Sequence, residues 1–546
     1  MAANTNRHQN DASVAGARAP RDRKVYLVGG GIASLAAAAF LIRDGRVLGH
    51  NIVILEECER LGGSLDGGGS PEDGYIVRGG RMFESQYRCT YDLFSSIPTL
   101  DKTRTVTQEI FEWNEVVKTE SKCRLVRAGV GLDTPEFGLS EKHILTLERL
   151  AIEPEGLLGA SSIQDQFDAA FFETNFWILW CTTFAFQPWH SAVEFKRYLV
   201  RFVHMVDGFG RLKGIMRTVY NQYDSLVRPL KAWLDERGVS YVFGARVDDL
   251  QASENEGGKA VERLVLDRGG KTEEIVLGAD DLAIVTLGSM TAASSLGTNA
   301  TAPTPTLEGD RKGGAWALWR KIAEGRPEFG RPSVFANHID ESQWVSFTAT
   351  QRDPAFFEIV RNFTGNVPGE GGLITFANSA WLMSIVLPHQ PHFLGQPKDV
   401  NVFWGYGLRV DRLGNFVGKP MAACSGREIM SELLGHLRIG AERSHIAENT
   451  ITIPCMMPFI TSQFLRRAKG DRPAVAPKGW RNLAFVGQFV EMPDDVVFTV
   501  EYSVRSARAA VSNLLGLDEG PPPVYAGQFH PHILLEAFAA LHDLHR

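Results

Sequence analysis

Cysteine is scarce in this sequence, with six residues among 546, and no two of them form a CxxC pair. A disulfide framework and a structural zinc site both need closely spaced cysteines, so neither is expected and no metal site is predicted. Scattered cysteines are typical of reduced thiols in a cytoplasmic protein. The six residues are Cys58, Cys89, Cys123, Cys181, Cys424 and Cys455.

Long apolar runs and an excess of positive charge are also missing. The longest apolar stretches, 35–42 and 176–186, are shorter than the roughly 20 residues of a membrane-spanning helix. The net charge of −7 excludes general binding to nucleic acid, which requires a basic surface. Residues 1–22 are polar and lack the apolar core of a signal peptide, so we expect a disordered tail there.

Three apolar segments that each end at a glycine indicate a nucleotide-binding sheet. They are residues 25–29, 281–288 and 482–487. A buried strand that turns through glycine into a helix is typical of dinucleotide-binding folds. Because the chain is long enough for two to four domains, the three segments predict one discontinuous domain that is interrupted by large insertions.

The spacing Gly29-x-Gly31-x-x-Ser34 predicts a phosphate site at the start of a helix over 31–44. Gly29 makes the turn, Gly31 leaves room for the phosphates, and the small Ser34 replaces the usual third glycine. Glu56 ends the next strand, where a carboxylate accepts hydrogen bonds from a ribose and disfavours a 2′-phosphate. A second complete fingerprint, for a nicotinamide dinucleotide, is absent from the sequence.

Aromatic residues concentrate in the helix-rich segment 163–235. Two interpretations are open: a hydrophobic core, or the wall of an apolar substrate channel. Apolar residues recur at helical spacing over 532–545, which indicates a helix that either docks on the body of the protein or lies on a membrane surface. The polar stretch 252–259 is predicted to be a surface loop.

Several longer sequence blocks are more specific than a dinucleotide fingerprint. They are Arg60-Leu-Gly-Gly-Ser64, Arg78-Gly-Gly-Arg81-Met82-Phe-Glu84, Gln187-Pro-Trp-His190, Tyr220-Asn-Gln222-Tyr223, Gln390-Pro-His392 and Gly487-Gln-Phe-Val-Glu-Met-Pro-Asp-Asp. In this order they resemble the oleate hydratases, also called myosin-cross-reactive antigens, from about residue 24 onward. The resemblance implies an FAD-containing hydro-lyase that adds water across the cis-9 double bond of a free fatty acid, giving a 10-hydroxy acid. It implies no net redox, with reduced flavin (FADH2) as the activating state.

The resemblance also implies the fold class: α/β, with a discontinuous Rossmann-like FAD-binding domain, an inserted mixed α/β substrate domain and a helical C-terminal region. The predicted division has a disordered tail at 1–22, FAD-binding parts at 23–135, 236–300 and 471–515, substrate-domain segments at 136–235 and 301–470, and a C-terminal helical tail at 516–546. Relatives are commonly homodimers, but the short sequence before the first strand leaves a monomer open.

Hydration of an isolated alkene needs a proton donor and a group that orients water. The resemblance places the donor at Tyr198, whose unperturbed pKa of about 10 calls for assistance by nearby positive charge. The family has a water-activating glutamate where this chain has Met82, and a thioether is a poor acceptor. Glu84 is one candidate substitute; water held by backbone groups and the flavin edge is another. We expect a lower turnover than in relatives with the glutamate.

The remaining site residues follow from the same blocks. Gln222 corresponds to a substrate-positioning residue, and Gln390, His392 and His389 are predicted to bind the fatty-acid carboxylate at one end of an apolar tunnel. Arg78, Gly79, Gly80 and Arg81 are expected beside the flavin ring. The full set of predicted FAD contacts is Gly29, Gly31, Ala33, Ser34, Glu56, Glu57, Ser64, Arg78, Gly79, Gly80, Arg81, Gly288, Ser289, Gly487 and Phe498.

Two other functions stay open at this point, because a fold does not settle a reaction. One is a redox enzyme on a lipid, amine-oxidase-like or desaturase-like, with the same flavin fold. The other is a flavin-dependent lipid-binding protein in which Met82 marks lost catalysis.

Overall fold

The secondary structure alternates between strands and helices throughout the chain. The computed structural model describes residues 23–132, 136–256, 258–304 and 314–542, so the predicted tail at 1–22 lies outside the described residues. The strands are β1 (Val25–Val28), β2 (Ile52–Glu56), β3 (Gly67–Ser70), β4 (Gly74–Val77), β5 (Leu125–Arg127), β6 (Val130–Leu132), β7 (Ser240–Phe243), β8 (Ala245–Asn255), β9 (Gly258–Arg268), β10 (Lys271–Val276), β11 (Leu282–Thr286), β12 (Ser295–Leu296), β13 (Trp344–Gln351), β14 (Ile374–Phe376), β15 (Met383–Val386), β16 (Asn401–Gly407), β17 (Thr450–Met457) and β18 (Leu483–Val486). The helices are α1 (Ile32–Arg43), α2 (Arg88–Phe94), α3 (Val106–Val116), α4 (Glu141–Ile152), α5 (Glu155–Leu158), α6 (Asn175–Phe184), α7 (Ala192–Arg201), α8 (Arg228–Asp235), α9 (Gly314–Ala323), α10 (Ser333–Ala336), α11 (Ile339–Ser342), α12 (Ala355–Thr364), α13 (Gly426–His436), α14 (Arg443–Glu448), α15 (Val500–Leu515) and α16 (Pro531–Leu541).

A parallel sheet with the strand order β18-β11-β1-β2-β7 gathers the three predicted glycine-ended strands. Val25 of β1 pairs with Leu282 on one side and with Ile52 on the other. Every residue of β1 is buried, as expected for a strand with neighbours on both edges and layers on both faces. This confirms the predicted α/β class and the discontinuous sheet. The domain boundaries stay a prediction.

Helix α1 connects this sheet to the nucleotide turn. Its sequence carries a run of alanines, and ten of its residues are buried. Small side chains let α1 lie close to the sheet on one side and to α15 on the other. The helix begins directly after Gly31, so its N-terminus faces the carboxyl edge of the sheet.

A larger mixed sheet, ordered β12-β17-β13-β16-β15-β14-β5-β6, forms the second body of structure. Its pairs are antiparallel apart from β14 with β5. The aromatic residues of 163–235 pack beside this sheet, where some belong to the hydrophobic core and others line a cavity. Phe171 and Trp177 are buried in the core, whereas Phe176, Trp180 and Phe184 line a cavity.

The last helix of the described chain, α16, packs on the body of the protein. Helix α16 packs against the 3₁₀ helix Val203–Arg211, so the docked position is confirmed, while contact with a membrane surface stays a prediction. Among the described helices none is long and apolar enough to cross a bilayer.

The prediction of a loop at 252–259 is wrong: β8 and β9 pair through it, with Ser253 opposite Ala260. Backbone pairing holds this exposed hairpin, whose polar side chains resemble those of a loop.

Candidate active site

Glycines at the carboxyl edge of the parallel sheet form a cradle at the N-terminus of α1. Gly29 has φ +93° and its N–H donates to the Leu55 carbonyl at 2.8 Å. A Cβ atom added to Gly31 would meet no protein atom within 4 Å, whereas one added to Gly63 would lie 3.3 Å from the Gly31 Cα. The two backbones therefore approach closely, and the open side of Gly31 lies at the N-terminus of α1, which suits a pyrophosphate. The other predicted contacts here lie in the first turn of α1 and in the 3₁₀ turn beside it: Ala33 and Ser64.

Glu56 turns its carboxylate toward the same cradle. Its Oε2 accepts a hydrogen bond from the Gly30 N–H at 2.5 Å, and its Oε1 accepts one from the Cys58 N–H at 2.7 Å. These bonds fix the carboxylate at the end of β2, and its remaining lone pairs can still accept ribose hydroxyls. Glu57 follows as an exposed residue.

The other two predicted strand ends meet at this edge as well. Gly487 follows β18 with φ +99°, and its N–H donates to the Ser506 hydroxyl at 3.0 Å. Thr286 at the end of β11 lies between Gly487 and α1. A Cβ added to Gly487 would be 3.2 Å from the Thr286 Cγ2, and the Thr286 hydroxyl lies 3.0 Å from the Ser34 hydroxyl of α1. Gly288 and Ser289 continue from β11. The residues of all three segments fit one dinucleotide.

A cavity of about 390 Å³ lies against the mixed sheet, with Trp344 of β13, Val386 of β15 and Trp404 of β16 in its lining. Residues 79–84 form one wall, and α6, α7 and the 3₁₀ helix Val203–Arg211 form others. Helix α16 closes a further side with its apolar face. The lining is predominantly apolar and aromatic: Phe176, Trp180, Phe184, Leu199, Phe202, Phe209, Val386, Trp404, Leu534, Ala537, Phe538 and Leu541. Such a shape suits a flexible hydrocarbon chain.

Gln222 holds the backbone of the wall segment. The Arg81 N–H donates to Gln222 Oε1 and the Gln222 side-chain amide donates to the Arg81 carbonyl, both at 3.2 Å. A Cβ added to Gly80 would lie 2.8 Å from the Trp404 ring, so only glycine permits this close approach. Gly79 has φ +133°. Gln222 also lines the cavity, which keeps its predicted contact with substrate open.

Arg81 brings a positive charge into the cavity without a carboxylate partner. Its guanidinium lies 4.8 Å above the Phe498 ring, and its Nη2 has no hydrogen-bond partner among the described residues. Burial lowers the pKa of Arg81 to about 10, and only the Tyr198 side chain opposes that change. Arg78, by contrast, donates from Nε to Asp66 at 2.7 Å and is neutralised there.

Tyr198 reaches the cavity from α7 and is 2% exposed. Its hydroxyl donates to the Val497 carbonyl at 2.6 Å. Burial raises the pKa of Tyr198 well above its ordinary value, Glu194 and Asp495 raise it further, and Arg81 opposes them. The phenol is therefore protonated at neutral pH, and Arg81 is the nearby cation that would stabilise a phenolate.

Met82 and Glu84 both line the cavity, but their surroundings differ. Glu84 is 2% exposed; its Oε1 accepts from Arg201 Nη2 at 2.7 Å and its Oε2 accepts from the Gln86 N–H at 2.6 Å. Burial tends to raise the pKa of Glu84, but His204 and Arg201 overcome that effect and lower it. Glu84 is thus a carboxylate, although an ion pair holds its direction. Met82 offers the cavity only its thioether.

His389 and His392 line the cavity, whereas Gln390 is not part of the lining. The Gln390 amide donates to the Val402 carbonyl at 2.8 Å and its carbonyl accepts from the Gln396 amide at 2.8 Å, so its polar groups hold the loop. Burial lowers the pKa of His392 to about 3, and burial also lowers that of His389. Both rings are therefore neutral at neutral pH and can donate a hydrogen bond but supply no charge.

Two residues that sequence reasoning missed also line the cavity: Arg217 and Tyr87. The Tyr87 hydroxyl makes no hydrogen bond within the described ranges, although its ring is stacked 5.6 Å from the Arg201 guanidinium. Arg217 lies three residues before the Tyr220-Asn-Gln222 block, after Ile215 and Met216 and before Thr218. Nothing in this local sequence distinguishes it from a surface arginine.

The fold and this cradle define the class of protein first: a mixed α/β protein with the fold of the flavin-type amine oxidases. Solved structures of putrescine oxidase and of cyclohexylamine oxidase from Brevibacterium oxydans IH-35A each match with a TM-score of 0.52, at 13% and 12% sequence identity. The matches cover 90% and 91% of this chain and 99% of each of those chains. At such low identity they establish the fold alone.

The family follows from the sequence comparisons. The MCRA family model matches residues 22–512, and the chain belongs to this family. An oleate hydratase of Streptococcus pyogenes serotype M49 (strain NZ131) is 39% identical over 534 residues, which cover 95% of this chain and 90% of that protein. A linoleate hydratase of Lactiplantibacillus plantarum is 32% identical over 539 residues, which cover 90% of this chain and 94% of that protein.

Proposed function

We propose that this protein is an FAD-dependent hydratase that adds water across the cis-9 double bond of unsaturated fatty acids such as oleate. The product is a 10-hydroxy fatty acid, and the reaction has no net redox. Two relatives named as fatty-acid hydratases support the proposal. The observation that carries it is the position of Tyr198, a protonated phenol in the wall of an apolar cavity beside an unpaired arginine.

The atoms balance with residues of the chain alone. Tyr198 donates its proton to C9, the water oxygen bonds to the cationic C10, and the proton released by that water restores the phenol. Because the tyrosine becomes negatively charged in the first step, Arg81 gains at that moment the counter-ion that it lacks beforehand. An interaction that strengthens only along the reaction path lowers the barrier.

Water must be held near C10, and Glu84 is the proposed acceptor of a hydrogen bond from it, while the released proton returns to the Tyr198 phenolate. Glu84 is ionised, lines the cavity and retains lone pairs beyond the bonds to Arg201 and Gln86. The attacking water meets a cationic carbon, so weak assistance suffices. The alternative is water held by hydrogen bonds to backbone groups of the 79–82 segment and to the flavin edge.

We propose FAD as the cofactor in the cradle of Gly29, Gly31, Glu56 and Gly487. When bound, its isoalloxazine ring would add a flat, polarisable wall beside Gly79–Arg81 and, in the reduced form, negative charge near the developing cation. We expect the reduced form, FADH2, to activate the enzyme.

The Gly31→Ala variant is expected to fold but to lose bound flavin by at least about tenfold, because its methyl group would occupy the space where phosphates approach the backbone. Gly31 has φ −74°, which alanine adopts freely, and the added Cβ would meet no protein atom. The measurement is flavin absorbance per protein, with the melting temperature of the flavin-free protein. Gly440→Ala, at another open position, is the control. Flavin content equal to the unmodified protein would contradict the cradle.

The Met82→Glu variant is expected to raise kcat on oleate by about tenfold. This is less than the factor of roughly 100 or more that a positioned base often supplies, because the cationic carbon needs little help. Met82→Gln, which is of similar size but cannot take a proton, is the control. Unchanged or abolished turnover in Met82→Glu would argue against a missing base as the cause of low activity.

Incubation of the purified protein with oleate in oxygen-18 water tests the function itself, with oxidised and with reduced flavin. We expect labelled 10-hydroxystearate without oxygen uptake. A requirement for stoichiometric electron acceptor or dioxygen would instead support a lipid oxidoreductase. Absence of any product would support a flavin-dependent lipid-binding protein.

A further inference from the structure

We propose that Arg217 binds the carboxylate of the fatty acid and so sets the position of the double bond relative to Tyr198. This inference rests on the proposed function and names a residue of the same site. The fatty acid is thereby anchored by a charge, and His389 and His392 contribute only neutral hydrogen bonds.

Arg217 is a buried cation without a carboxylate partner among the described residues. It lines the cavity, and its Nε is buried without a hydrogen-bond partner in the described part of the chain. No ion pair with a carboxylate is formed by it there, and burial is the one influence that lowers its pKa, to about 10. Proteins pair buried charges because an isolated one is costly. The group that would pair with Arg217 is therefore an anion that enters the cavity.

The backbone of Arg217 is fixed by hydrogen bonds, whereas its guanidinium Nε has no hydrogen-bond partner among the described residues. Asn114 of α3 accepts from the Arg217 N–H at 2.9 Å and donates to its carbonyl at 2.7 Å. These two hydrogen bonds hold the residue at the cavity wall and leave its guanidinium fork unused. A planar fork matches the two oxygens of a carboxylate, so the site is organised before the ligand arrives.

The charges around Arg217 favour an anion as well. Arg124 is fully buried, donates to the Leu373 carbonyl and the Thr183 hydroxyl, and is close enough that Arg217 depresses its pKa. Leu373 and Thr183 line the same cavity. Burial is the main cause of the lowered pKa of His392, and the charge of Arg217 lowers it further. The two guanidinium groups give this part of the cavity a positive potential.

Stearate tests the site without chemistry, because it has the carboxylate but no double bond. Tryptophan fluorescence would measure the affinity of the flavin-loaded protein for stearate and for stearyl alcohol. Arg217→Met is expected to weaken stearate binding by about 10- to 100-fold, the value of a charge-assisted pair, with stearyl alcohol changed less than about threefold. Arg217→Lys keeps the charge and is expected to recover most of the affinity. Arg409→Met is the matched control, since Arg409 also has a pKa lowered by burial but does not line the cavity.

Kinetics separate this inference from the proposed function. On oleate, Arg217→Met is expected to raise KM far more than it lowers kcat, and to yield some 9-hydroxystearate beside the 10-hydroxy acid. Unchanged stearate affinity, or equal losses for stearate and stearyl alcohol, would overturn the assignment even if the unmodified protein hydrates oleate. Selective loss of stearate binding in a protein that makes no hydroxy acid would uphold the carboxylate site and refute the hydratase.

Discussion

The Tyr198→Phe variant is expected to hydrate oleate at least about 100-fold more slowly than the unmodified protein, because a positioned general acid contributes roughly that much or more. The phenol lies in the cavity wall beside Arg81, a cation whose Nη2 has no hydrogen-bond partner among the described residues. Phenylalanine keeps the ring and its packing against Phe184 and Phe186. The loss should therefore fall on kcat and leave KM nearly unchanged.

Tyr502→Phe is the matched control for that variant. Tyr502 is equally buried, and its hydroxyl also donates to a backbone carbonyl, that of Val490, at 2.6 Å. Both variants lose a phenol-to-carbonyl bond worth about 1 kcal/mol of stability, but Tyr502 does not line the cavity. If the two variants kept similar activity, Tyr198 would be an ordinary core tyrosine.

The Glu194→Gln variant is expected to lose about 3–5 kcal/mol of the free energy of unfolding, because it removes one side of a buried ion cluster. Glu194 is fully buried in the first turn of α7, and its Oε1 lies 2.8 Å from Arg467 Nε and 2.9 Å from Arg472 Nη1. Without the carboxylate, two buried guanidinium groups lose a counter-ion. The midpoint of urea unfolding measures the loss. Glu112→Gln, which breaks an exposed pair with Arg104, should cost less than about 1 kcal/mol.

Acid should erase the difference between the Glu194→Gln variant and the unmodified protein. Burial tends to raise the pKa of Glu194, but Arg472, Arg467 and Arg197 overcome it and lower the pKa from 4.5 to about 2. A carboxyl whose pKa is lower in the folded state stabilises the fold above its unfolded pKa, and this contribution disappears as the pH falls toward the folded one. The urea midpoints of the two proteins should therefore converge below pH 4.5. A constant difference across that range would contradict the ionised cluster.

The cradle was accessible to sequence reasoning because local rules determine it. A glycine that follows a buried strand and precedes a helix has few structural alternatives. The carboxyl ends of parallel strands meet at one edge, so Gly29, Gly288 and Gly487 could be placed together although hundreds of residues separate them. Helix α16 was predictable from spacing for the same local reason, but its docked position was not.

The polar end of the cavity was not accessible in this way. Arg217 belongs to no spacing rule, and its importance comes from the absence of a neighbouring carboxylate, which only the folded chain reveals. Gln390 shows the converse: its amide is used by the Val402 backbone and by Gln396, so a polar residue in the expected block is engaged elsewhere. The hairpin at 252–259 was missed because strand pairing there depends on partners and not on composition.

The order of strands in the parallel sheet has a consequence for biosynthesis. Strand β18 is the last strand of this sheet to be synthesised. It pairs with β11 and so brings Gly487 to the same edge of the sheet as Gly29. Pairings between such distant segments form late and slowly. We therefore expect a nucleotide to bind in this cleft only after the residues of β18 have been synthesised.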